Sequence, residues 1–118
     1  MKWWLDESEE WEFEKILEYL KNYDTVHVGS DSKYYSQGTK FATAIAVYQN
    51  PCVTYWYTKE KQQFMTREIR HRLWTEVEKS IEIAWKIRNK LPDIKIVVHC
   101  DINSVSYTHL RAHETGND

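Results

Sequence analysis

Apolar residues along the chain fall into two stretches of helical spacing and four strand-like runs, and their order predicts an α/β domain. Over residues 9–20, Trp11, Phe13, Ile16, Leu17 and Leu20 recur at the three-to-four-residue spacing of one helical face. Asp6 and Glu9 ahead of them have the spacing of a capping box. A first strand is expected over 25–30, followed by the polar stretch "SKYYSQGTK" as a turn with Gly38 at its tip. "FATAIAVYQ" predicts a second strand, of a composition suited to a sheet buried on both faces. Asn50 and Pro51 signal a turn, and "CVTYWYT" a third strand, which completes an antiparallel meander. The longest periodic stretch then places Ile69, Leu73, Val77, Ala84, Ile87 and Leu91 on one stripe. Its start is expected near Thr66, although Thr75 and Glu78 also have capping-box spacing. Pro92 ends that helix, and "IKIVVHC" predicts a fourth strand reaching Asp101. A helix between the third and fourth strands makes the fourth parallel to a strand of the same sheet.

Composition adds limits. The chain has 118 residues, 42% apolar and 29% charged, with three glycines and two prolines, so one domain without a linker is expected. Aromatics reach 14%, including six Trp and eight Tyr, enough for a thick core or an adhesive surface. The net charge of −2 gives no global attraction to nucleic acid, so such binding needs a local patch. No stretch approaches the roughly 20 apolar residues of a membrane span, and "MKWWLDESEE" lacks the apolar run of a signal peptide. No membrane partner and a cytoplasmic setting are therefore expected. Cys52 and Cys100 form no metal-binding spacing and, in strand-like runs, are expected to act as small hydrophobes.

The chemistry is concentrated in two strands that end alike, "VHVGSD" and "VVHCD". Alternation puts His27, Gly29 and Asp31 on one face, and likewise His99 and Asp101. If the first and fourth strands are parallel neighbours, about 4.8 Å apart, Asp31 and Asp101 project from the same end of the sheet. Two carboxylates that close repel, and a divalent cation between them removes the repulsion. Aspartate after a strand is common as a plain turn residue, so the pairing carries the argument. A third carboxylate is sought on the long helix. Glu68, Glu78 and Glu82 point away from its apolar stripe, whereas Glu76 lies at the border. Glu76 is equally suited to an i,i+4 ion pair with Arg72. His27 stands about 13 Å along the strand from Asp31, too far to share its metal. His27 and His99 are read chiefly as buried, hydrogen-bonded strand residues.

Asp on a first strand, a three-stranded meander, Glu on the next helix and Asp ending a fourth strand together resemble the ribonuclease H-like superfamily. Within it, "VGSDSK" at 28–33, "KFATAIAV" at 40–47, "TEVEKSIEIA" at 75–84 and "VVHCDI" at 97–102 are most similar to the YkuK-type family. The resemblance implies a mixed sheet of order 3-2-1-4 with an N-terminal helix and a long crossover helix. It also implies Mg²⁺ or Mn²⁺ held by Asp31, Glu76 and Asp101, and two-metal hydrolysis of RNA, RNA–DNA hybrid or DNA. Lys33 and Arg72 are then candidate phosphate contacts. The superfamily continues with another strand and a C-terminal helix bearing a fourth acidic residue, which His109, Glu114 and Asp118 do not match. "VSYTHLRAHET" is instead similar to translated sequencing-adapter DNA at the ends of metagenomic reading frames. A truncated domain over 1–103 and a non-native tail over 104–118 are expected. A non-catalytic binding module and an inactive fragment are the alternatives to a nuclease.

Overall fold

The computed structural model describes residues 1–6, 8–36, 38–62 and 69–100. Its sheet has six strands in the order β2-β1-β5-β4-β3-β6. The expected meander is β3 (Thr25–Tyr35), β4 (Gly38–Gln49) and β5 (Cys52–Gln62). The crossover helix α2 (Ile69–Lys90) leads to β6 (Lys95–His99), which pairs in parallel with β3. The α/β architecture read from the sequence is the one observed. The expected helix start near Thr66 lies outside the described residues.

The N-terminus differs from expectation. Two-residue strands β1 (Trp3–Trp4) and β2 (Glu10–Trp11) form a hairpin on the edge of β5, closed by the Leu5 amide donating to the Glu9 carbonyl at 2.8 Å. Asp6 and Glu9 therefore belong to a hairpin turn and not to a helix cap. Helix α1 (Phe13–Leu20) starts only after Glu12, which caps it with extended backbone and no side-chain hydrogen bond. The fully buried Trp3 favours the hairpin, because it fills the core from β1.

Both helices cover one face of the sheet. Ile16, Leu17 and Leu20 of α1 and Ile83 and Ile87 of α2 share one cluster with Val26, Val28, Ile45, Val47 and Trp56. Strand alternation sends the intervening residues to the opposite face, where Tyr48, Val53 and Tyr55 are exposed. β4 is thus buried on one face only, which corrects the reading of "FATAIAVYQ" as a strand covered on both. Cys52, at the first position of β5, and Cys100, just past β6, are exposed instead of acting as core hydrophobes.

Two tight connections set the register. Tyr35 pairs with Gly38 and Gln49 with Cys52, leaving two residues for each turn. Gly38 has φ of 147°, a conformation that side chains disfavour and glycine accepts. The β3–β4 turn therefore falls beyond Tyr35, and "SKYY" is strand rather than loop. Asp31 consequently lies inside β3, opposite Ala42, and not at its end.

Candidate functional site

The buried stripe of α2 is Leu73, Glu76, Ser80, Ile83 and Ile87, with Val77 and Ala84 on its flanks. Glu76 is therefore central to the helix–sheet interface, only 5% exposed, rather than at its border. This interface changes character along its length. Around Ile83 and Ile87 it is apolar, whereas around Glu76 and Ser80 it meets the serines of β3. The Ser80 hydroxyl lies 2.9 Å from Ser30 Oγ, which in turn lies 2.9 Å from Thr43 Oγ1. Ser32 donates its hydroxyl to Glu76 Oε2. Groups buried this deeply need such partners, since an unsatisfied one costs about 1–3 kcal/mol. Nothing in the sequence pattern singles out Ser30, Ser32 and Ser80. Serine beside a strand aspartate reads as turn chemistry, and only the extension of β3 turns it toward α2.

Asp31 is exposed and takes the alternate face of β3, with His27 and Gly29. Its Oδ1 accepts the Ser32 amide at 2.9 Å. Asp31 and Glu76 thus approach β3 from opposite faces, with Ser32 between them. Asp101 lies outside the described residues. The pairing leading to it is clear: Val28 is opposite Val98 and Gly29 opposite His99 in parallel register. Lys33 is exposed on the Asp31 face, while Arg72 sits half-buried on α2, one turn before Glu76. The two candidate phosphate contacts are therefore on opposite sides of the sheet.

The histidines form a pair on the open face. His27 Nδ1 and His99 Nε2 are 2.9 Å apart, one donating and the other accepting. Their rings stack at 5.2 Å, and His27 also stacks on Tyr48 at 4.6 Å. Burial, with smaller contributions from His99 and Lys95, holds the His27 imidazole below the usual histidine value of 6.5. His99 is exposed, contrary to its expected burial.

Carboxylate oxygens suit Mg²⁺ or Mn²⁺ in kind. No group of three or more metal-ligating side chains converges among the described residues. Mg²⁺ does not require such a cage, because it is commonly held by one or two carboxylates, waters and substrate phosphate. Among the described residues, no helix is long and apolar enough to cross a membrane.

The profile of the Ribonuclease H-like family matches residues 12–114, nearly the whole chain, and the protein belongs to that family. The match takes in Asp31, Glu76 and Asp101 and runs into the segment 104–118. No curated protein and no solved structure matches the chain.

Proposed function

We propose that this chain is a divalent-metal-dependent nuclease hydrolysing phosphodiester bonds, nearest in kind to the YkuK-type members of its family. The observation that carries the reading is the parallel pairing of β3 with β6 in the register Gly29–His99. Asp31 is two residues beyond Gly29, and Asp101 two residues beyond His99, so the sequence supplies a carboxylate to each strand at the same distance past a paired position. Asp31 and Asp101 would hold Mg²⁺ or Mn²⁺ from the strands, while Glu76, which meets β3 from the opposite face, would act on the site through Ser32. The chemistry supplied by two bound ions is activation of the attacking water and neutralisation of charge on the leaving 3′ oxygen.

The chain's own groups position the site. The Ser32 amide fixes one Asp31 oxygen on a side chain that is exposed. The Ser32 hydroxyl fixes Glu76, so one residue orients both carboxylates across the strand. Incubation of the protein with labelled RNA, RNA–DNA hybrid and single-stranded DNA, with Mg²⁺, Mn²⁺ or a chelator, tests the proposal. Cleavage of at least one polymer that stops with the chelator is expected. Absence of cleavage of all three under every metal condition rules the proposal out.

A further inference from the structure

The open face of the sheet carries a charge pattern that nuclease chemistry alone does not use. Register places Lys33 opposite Lys40 and Lys40 opposite Lys61, so three lysines stand side by side across β3, β4 and β5. All three are exposed. The next row holds Asp31, Ala42 and Lys59, and the one after it Gly29, Ala44, Tyr57 and Trp4. Like charges directly opposite each other on a sheet destabilise it. Among the described residues, the ion pairs are made by Lys21, Lys79 and Lys86, and none by Lys33, Lys40, Lys59 or Lys61. Instead Lys40 and Lys59 rest over the rings of Tyr35 and Tyr57, at 5.9 and 5.5 Å. A chain of net charge −2 thus gathers four lysines without an ion pair among the described residues at one end of one face, with Asp31 as the acidic side chain in the adjoining row.

Beside the lysines, at the β5 edge of the sheet, lies a cleft of about 670 Å³ lined by Lys2, Trp4, Tyr57, Lys59 and Glu60, among others. Further across, Tyr48, His27 and His99 make a continuous diagonal of stacked rings over β4, β3 and β6. Cations at one end of a face and aromatic rings in the rows beyond them are the two elements that hold unpaired polynucleotide, backbone on one and bases on the other. A duplex hides the faces of its bases and cannot use the rings.

We infer that the open sheet face binds single-stranded nucleic acid, with phosphates on Lys33, Lys40, Lys61 and Lys59 and a base against Trp4 and Tyr57. The choice of nucleic acid over another polyanion rests on the nuclease reading. The track passes Asp31, one row from the three lysines, which puts a bound strand beside the proposed catalytic carboxylate.

The test is fluorescence anisotropy with a labelled twelve-nucleotide oligo(U) or oligo(dT), in chelator so that hydrolysis plays no part, across a series of salt concentrations. Each phosphate contact on a single strand contributes about 0.7 to the slope of log affinity against log salt. The triple variant Lys33→Gln/Lys40→Gln/Lys61→Gln should therefore lose about 2 from the slope and bind at least about tenfold more weakly at low salt. Tyr57→Ala should lose roughly five- to hundredfold in affinity with the slope unchanged. A duplex of the same length should bind less well than either single strand. Lys40→Gln alone, which removes both like-charge contacts, replaces the triple variant if the latter melts early. No binding by the wild type, an unchanged slope in the lysine variants, or equal binding of duplex overturns the inference. Binding in chelator without cleavage in any metal refutes the nuclease reading alone. Cleavage with an unchanged lysine-variant slope refutes the binding track alone.

Discussion

Replacing Ser32 with alanine isolates the contact on which the geometry of Glu76 depends. Ser32 is half-buried and Glu76 is 5% exposed, so water cannot take over the lost bond freely. A hydrogen bond to a charged group is worth about 1.5–3 kcal/mol. Glu76 has further interactions, which places the expected loss near the middle of that range, at about 2 kcal/mol. For a chain of this size each kcal/mol lowers the melting temperature by roughly 4 °C, so Ser32→Ala should melt about 8 °C early. Urea denaturation of wild type, Ser32→Ala, Glu76→Gln and the double variant closes a thermodynamic cycle. The contact predicts a coupling of at least about 1 kcal/mol, because the second substitution removes a partner already lost. Ser36→Ala, at an exposed position, should stay within about 0.5 kcal/mol of wild type. Additivity of Ser32→Ala and Glu76→Gln within about 0.3 kcal/mol would show that the two side chains do not support one another, and the account of Glu76 would fail with it.

Other consequences are checked by similar means. Ile87 is fully buried among core residues of both helices and the sheet, so Ile87→Ala should cost about 2–5 kcal/mol by urea denaturation; a loss below 1 kcal/mol contradicts the packing. His27 has a lowered pKa in the folded protein, so the unfolded chain takes up its proton first as pH falls. The contribution is nil above pH 7, and stability is lost as pH falls through 6.5 toward the lower folded value. His27→Gln should flatten that decline in urea midpoints measured from pH 8 to pH 5, and an unchanged profile refutes the assignment. Lys40→Gln relieves two like-charge contacts and should raise stability by a few tenths of a kcal/mol at low salt, an effect that vanishes at high salt.

The parts of this fold legible in the sequence are those with long, regular periodicity. The meander, the crossover helix and the parallel last strand follow from apolar runs separated by turn residues, and the structure has them in that order. The N-terminal hairpin was hidden because two-residue strands carry no period, and Trp3 and Trp11 pair only across a turn. The buried face of α2 was displaced because Glu76 and Ser80 occupy core positions as polar residues, which a hydrophobic pattern passes over. The extent of β3 escapes the pattern for a related reason. Ser and Gly near Asp31 are turn-formers by habit, yet the ladder to β4 absorbs Gly29, Ser30 and Ser32 as strand. The lysine row needed only the register. Once the two-residue turns after Tyr35 and Gln49 are placed, Lys33, Lys40 and Lys61 must fall opposite one another. Of the proposed metal site, parity suggests the two strand aspartates and helical phase the inward direction of Glu76, but neither pattern shows that Asp31 and Glu76 meet β3 from opposite faces.

The most direct measurement is the initial rate of Mg²⁺-dependent cleavage by wild type and by Asp31→Asn, on whichever polymer the wild type cuts. The Asp31 side chain is exposed and bonded only to its neighbour's amide among the described residues, so the substitution should leave the melting temperature within a few degrees of wild type. If Asp31 is the direct ligand proposed, its loss should exceed the roughly 10–100-fold typical of groups one shell further from a metal, giving a fall of at least about hundredfold. A folded Asp31→Asn protein that cleaves at the wild-type rate would contradict the account.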